Sequence, residues 1–248
     1  MSWRWFGLIV LLLACSATAG ERELGGAPDA GGQLSATFSI VAVDPESGVC
    51  GAAVASKYPA VGKVVPYVRA GVGAFCTQHY HVPKYGPRAL DLLGAGKLPE
   101  AVLAELLKDD PQQDQRQLAI IDMQGRAANR NPAAAAGTSL YWGAMTGRFY
   151  ACQGNTLAGR KVVTGMAQAY EETTGSLADR LMVALVAADR AGGDHRGKLA
   201  AGIRVAKRGV EGDWLALDVD DSDDAVEELM RRYKALSHPA KGNGEAAR

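Results

Sequence analysis

Aromatic side chains are scarce in this sequence, at 6% of the chain, and charge of one sign never accumulates. Lys+Arg and Asp+Glu both number 27, and the basic residues are scattered without a run. Neither nucleic acid nor an anionic membrane surface finds an electrostatic footprint here, so a small or neutral partner is expected. The shortage of aromatics also argues against an aromatic-lined sugar cleft. Cysteines number only four and show no CxxC spacing, which excludes a metal knuckle. Without Cys15, the remaining Cys50, Cys76 and Cys152 could form one disulfide with a spare thiol. Cys50 and Cys76 lie in apolar, strand-like runs, however, where a core thiol is the better reading. His79 and His81 have no Asp, Glu or Cys at ligand spacing, and the acidic run Asp218 to Asp224 lacks the glycine and distal glutamate of a calcium loop. No metal or cofactor is expected. The acidic run instead suits the N-terminus of a final helix.

Long apolar runs are missing too. The longest, Phe6 to Ala14 behind Arg4, has the length of a signal-peptide core and is too short to span a bilayer. Residues 1–19 therefore read as an export signal, with Ala17-Thr18-Ala19 offering a cut before Gly20. A competing pattern, Leu12-Leu13-Ala14-Cys15, is that of a lipobox; a membrane partner is expected only if Cys15 is lipidated. Residues 20–36 are rich in Gly and polar residues and form an expected tether. One domain is then expected over 37–236, with a loose tail over 237–248.

Glycine and alanine, in contrast, are abundant and suit close packing between sheets. Thr37 to Val43 and Val49 to Ala55 read as two strands joined by the turn Asp44-Pro45-Glu46-Ser47-Gly48. Both faces of these strands are apolar, so their sheet should be covered on both sides. Strand-like segments follow at 64–69 and 71–78. Next come helices opening at Pro87 and Pro99, a hairpin over 116–131, and strands near 139–145 and 148–153. Helical spacing then marks Val162, Val163, Met166 and Tyr170, and again Leu177, Leu181, Met182 and Leu185 behind the capping pair Ser176 and Asp179. Strands at 200–205 and 214–219 precede a last amphipathic helix. Hairpins, paired helices and strands again make a layered α+β domain, with helices flanking two antiparallel sheets.

One residue at the start of this domain could carry chemistry. A threonine hydroxyl needs a neighbouring base, and a threonine at a chain terminus has one in its own α-amine. That amine has a reference pKa near ~8, so part of it is neutral at physiological pH. Thr37 sits where the tether meets the first strand, although a threonine there can also be only a strand former. If the turn pairs Val43 with Val49, Thr37 falls opposite Ala55, with Lys57 two residues further along the same face. A nearby ammonium would keep the amine neutral and steady a developing alkoxide. Lys57 as a solvated loop residue is the alternative. An oxyanion also needs donors, and Asn155 after Gln153-Gly154 offers an amide; Asn after Gly is also a common turn.

Several motifs in order resemble a bacterial family, domain of unknown function 1028. They include Thr37-Phe38-Ser39-Ile40-Val41-Ala42, Val54-Ala55-Ser56-Lys57, Arg69-Ala70-Gly71-Val72-Gly73-Ala74 and Thr77-Gln78. Downstream, Tyr85-Gly86-Pro87-Arg88, Arg116-Gln117, Gln153-Gly154-Asn155 and Ala191-Gly192-Gly193-Asp194-His195-Arg196-Gly197 continue the pattern to about Tyr233. The resemblance implies the N-terminal-nucleophile (Ntn) hydrolase superfamily, a four-layer αββα sandwich and cleavage of an amide bond in a small molecule or peptide. It also implies that Asp194, following the long helix, supports the terminal amine, although Gly197 stands where the proteasome-like branch has a small residue with a hydroxyl. Many chains of the family are similar to Met-Thr-Phe-Ser at their start. Here Thr37 follows a signal and a tether, so freeing it requires a further cut after Ala36. The expectation is an exported amide hydrolase acting through Thr37, Lys57, Asn155 and Asp194, periplasmic or secreted. The alternative is a non-catalytic binding or structural module of the same fold. The sequence does not specify the substrate or the oligomeric state.

Overall fold

The computed structural model describes residues 34–35, 37–133 and 139–237. The export signal, the lipobox and the tether up to residue 33 lie outside the described residues, as does the tail from residue 238. In chain order, the first strands are β1 (Leu34–Ser35), β2 (Thr37–Asp44), β3 (Val49–Ser56), β4 (Pro66–Arg69) and β5 (Gly73–Tyr80). Helices α1 (Tyr85–Gly94) and α2 (Pro99–Leu107) follow, then β6 (Arg116–Asp122), β7 (Ala127–Arg130), β8 (Tyr141–Gly147) and β9 (Tyr150–Leu157). The chain continues with α3 (Lys161–Glu172), α4 (Leu177–Arg190), β10 (Ala200–Lys207), β11 (Leu215–Val219) and α5 (Ala225–Ser237).

The strands form two antiparallel sheets. One has the order β1-β5-β6-β7, with β4 also pairing β5; the other has the order β11-β10-β3-β2-β9-β8. Side chains alternate across each strand, so each sheet has two buried faces. Phe38, Ile40, Ala53 and Ile203 point from the six-stranded sheet toward α3, α4 and α5. Phe75, Leu118 and Ile120 point from the other sheet toward α1 and α2. Val41, Val43, Ala52, Val54, Ala74, Ala119, Ile121 and Ala151 fill the layer between the sheets. Their small volumes let the sheets approach, as the alanine-rich composition suggested. Each fully buried Val, Leu, Ile or Phe contributes roughly 1.5–3 kcal/mol, so these three clusters hold the fold together.

Local signals explain several boundaries. Ser176 and Asp179 form the expected capping box at the start of α4. Pro99 occupies the first turn of α2, where its missing N–H has no partner to lose. Helix α1 starts two residues before Pro87, because Tyr85 is anchored by its hydroxyl to Asp110 at 2.6 Å. In the same turn the bare Cα of Gly86 lies on the Tyr67 ring, where an added Cβ would stand 2.2 Å from a ring carbon. The acidic run divides its work: Asp218 binds Arg204 at 2.7 Å, Asp220 pairs with Lys63, and Asp224 pairs with Arg231 near the start of α5.

The first hairpin differs from the expected register by one residue. Asp44 pairs with Val49, which places Thr37 opposite Ser56 and Phe38 opposite Ala55. The cause is Asp44 itself. Its carboxylate accepts from the N–H groups of Glu46 and Ser47, closing the turn with its side chain while its backbone stays in the ladder. Upstream, two residues of the expected tether join a sheet, Leu34 beside Tyr80 and Ser35 beside His79.

Candidate functional site

Along the layer between the sheets, chemistry changes sharply at one end. Strand β2 places Val43 and Val41 in this layer and then Ser39 and Thr37; β3 places Cys50, Ala52 and Val54 there and then Ser56. By the same alternation β5 brings Gln78 to this end of the layer, β6 brings Gln117, and β9 brings Gln153 and Asn155. All seven of these polar residues are fully buried.

Most of them bond to one another. Thr37 Oγ1 donates to Ser56 Oγ at 3.2 Å, and Gln78 Nε2 donates to the Thr37 carbonyl at 3.1 Å. Ser39 Oγ donates to Gln78 Oε1 at 2.6 Å. Gln117 is the hub: its Oε1 accepts from Gln78 Nε2 at 2.8 Å and from Asn155 Nδ2 at 2.9 Å. Its Nε2 donates to the Gly154 carbonyl at 2.9 Å and to Asn131 Oδ1 at 3.0 Å. The backbone carbonyls of Thr37 and Gly154 can only accept, so they fix which way the amides of Gln78, Gln117 and Asn155 point. Three polar atoms stay unpartnered and buried: Gln153 Oε1, Gln153 Nε2 and Asn155 Oδ1.

Of the four residues predicted from sequence, Thr37 and Asn155 meet in this network through Gln78 and Gln117. Lys57 and Asp194 form a second cluster past the end of β3. The corrected register puts Ser56 opposite Thr37, and Lys57 lies one residue beyond it on the other face. The Lys57 N–H donates to Asp194 Oδ2 at 3.3 Å, and its ammonium lies close to Gly197. The carboxylate of Asp194 is wholly buried and gripped by Arg196, with Nε to Oδ1 at 3.1 Å and Nη2 to Oδ2 at 3.0 Å. Asp194 also bridges to Leu157 at the end of β9. A cavity of about 200 Å³ lies beside this cluster, lined by Lys57, Asp189, Asp194, Lys198 and Asp223.

Thr156 links the two clusters. It holds φ of 49°, a conformation that branched side chains strongly avoid. Its Oγ1 donates to the Asn155 carbonyl at 2.7 Å and lies 3.5 Å from Asp194 Oδ1, while its carbonyl accepts from the His195 N–H at 3.0 Å. Ser56, Gln78, Gln117, Gln153, Thr156 and Arg196 were not singled out from sequence as site residues. For the three glutamines a signal existed: each continues the alternation of an apolar face, after Ala74 and Cys76, before Ala119 and Ile121, and after Ala151.

Cys50, Cys76 and Cys152 are free and buried. Burial pushes the thiol of Cys50 up to about 11 and those of Cys76 and Cys152 up to about 12. Burial also pulls the His79 imidazole below its ordinary range. Its Nδ1 lies 2.7 Å from the Gln115 carbonyl and therefore carries a proton. Among the described residues, no group of three or more His, Cys, Asp or Glu could hold a metal ion.

Comparisons place this chain among relatives without an assigned activity. The crystal structure of protein SPO2555 from Silicibacter pomeroyi, a DUF1028 family protein by its description, is similar at 28% identity with a TM-score of 0.74. The match covers 82% of this chain and 90% of that one. No curated protein matches. The model of the family of unknown function DUF1028 matches residues 37–229, and the protein belongs to that family.

Proposed function

We propose that the protein is an exported amide hydrolase of the N-terminal-nucleophile class, with the Ntn-type αββα sandwich as its scaffold and Thr37 as its nucleophile. The observation that carries this reading is the position of Thr37. It opens β2 at the polar end of the inter-sheet layer, its hydroxyl is paired with Ser56, and the chain passes from one sheet to the other just before it. Hydrolysis of the Ala36–Thr37 bond would supply an α-amine beside the hydroxyl and release the upstream crossing at the same time.

In the proposed reaction, that amine takes the Thr37 Oγ proton as Oγ attacks the carbonyl carbon of an amide. The C–N bond breaks, the departing amine leaves with the proton, and an acyl ester remains on Thr37. Water then attacks the ester, releasing a carboxylic acid and restoring the hydroxyl. Asn155, one residue beyond the Phe38–Gly154 pair, would offer the oxyanion the amide N–H that Gln117 does not take. Lys57 and Asp194 act as positioning residues here: Asp194 holds the Lys57 N–H and so fixes the end of β3 that presents Ser56.

A second reading rests on one fact. Thr37 is fully buried, which suits a binding module that never frees it. N-terminal sequencing of the exported protein separates the two. A mature chain beginning at Thr37 that forms an ester with a β-lactone probe at Thr37, lost in Thr37→Ala, is the expected result. A mature chain beginning at Gly20 or Cys15 and inert to the probe would leave only the binding module.

A further inference from the structure

Gln153 is the least satisfied residue of the polar layer. It is fully buried, yet both ends of its carboxamide lack a hydrogen-bond partner, and Asn155 Oδ1 lacks one as well. Buried polar groups in native proteins are nearly always paired, so three orphans within two residues of one strand call for an explanation. Gln153 and Asn155 are separated by one residue of β9, and alternation puts both side chains on the face toward the other sheet. Reversing the Asn155 amide would not pair its orphan, because Nδ2 is needed by Gln117 Oε1, whose own orientation is set by the Gly154 carbonyl. What is missing is therefore defined: two donors, one for Gln153 Oε1 and one for Asn155 Oδ1, and one acceptor for Gln153 Nε2.

A primary carboxamide offers that set, two N–H groups and one carbonyl oxygen. A carboxylate does not, since it accepts only and would oppose two unpaired oxygens. Every side chain in the network is neutral, so an anion finds no counter-charge within it. We infer that Gln153 and Asn155 form an anchoring subsite for a ligand bearing a neutral primary carboxamide, and that this subsite rejects the corresponding acid. Gln153 is in register with Ser39, two residues further into the layer than Thr37, roughly 7 Å along the strand. The Gln153 end of the subsite thus lies deeper than the bond that Thr37 would attack, and Asn155 borders both. The inference rests on the proposed function only for that last relation.

The test uses the exported protein as purified and the isosteric pair butyramide and butyrate, followed by thermal unfolding and by amide NMR titration. Butyramide should raise the unfolding temperature and perturb β9 resonances, with affinity at least about 10-fold above butyrate. Gln153→Leu and Gln153→Met should keep the fold and lose the butyramide response, while Thr37→Ala should keep it. Equal binding of acid and amide would overturn the inference, as would no binding of either, which is the outcome if an ordered water alone fills the site. Loss of binding with Thr37 still acylated by the β-lactone would sink the subsite and spare the hydrolase. Binding in a chain that is never acylated would do the reverse.

Discussion

The two ends of the inter-sheet layer are built from the same strands, with the same alternation and the same complete burial, and they do opposite things. At the apolar end, Val41, Val43, Ala52, Ala119 and Ile121 stabilise by leaving water. At the polar end, Thr37, Ser39, Gln78, Gln117, Gln153 and Asn155 exchange water for one another at a net gain of only about 0.5–1.5 kcal/mol per bond, and Gln153 gains nothing. A chain under selection for stability alone would extend the valines. The polar end is where the proposed reaction would take place, and the apolar end offsets its cost.

Three measurements would break or sharpen that contrast. The largest expected effect is at the apolar end, where Ile121→Ala removes a fully buried side chain between close-packed sheets. It should cost about 2–5 kcal/mol in urea unfolding. At the polar end, Gln117→Leu keeps similar bulk but strips Asn155 Nδ2 of its partner, at an expected cost of about 1–3 kcal/mol. A cost matching that of Ile121→Ala would show that the network is a pillar of the fold, against the contrast drawn above.

The smallest effect lies outside the layer and appears only in acid. Burial works against the Asp110 carboxylate, but the Arg116 guanidinium, the Tyr85 hydroxyl and the Gln112 N–H together bring it from 3.8 down to about 2. A depressed carboxylate contributes stability above its unfolded value that is lost as the pH falls toward the folded one. Stability should therefore decline from about pH 4 to about pH 2 and be flatter there in Asp110→Asn. This is read by unfolding at a series of pH values. An unchanged acid profile in that variant would move the acid sensitivity elsewhere, against the neutrality of the layer.

Much of the fold was legible because its signals are local. The β2–β3 hairpin, Pro99 opening α2 and the capping pair of α4 each depend on residues a few positions apart. The register error at Thr37 has an equally local cause, since an aspartate can hold a turn with its side chain and a ladder with its backbone together. The site was half legible. Thr37 and Asn155 could be named from their places along the chain, whereas Gln78 and Gln117 are marked only as polar strand positions and join them because two sheets stack. Lys57 and Asp194 meet in a neighbouring cluster, where the Lys57 N–H donates to the Asp194 carboxylate across a long stretch of sequence. Strand β1 was illegible, for its residues have the composition of a linker and gain order only by pairing with Tyr80 and His79.

That short strand has a consequence for timing. Ser35 takes its neighbour from one sheet and Thr37 from the other, so both pairings are complete only after both sheets exist. Contacts of such long sequence separation form late. If the proposed cut before Thr37 depends on that pairing, it would act on finished molecules and pass over misassembled ones.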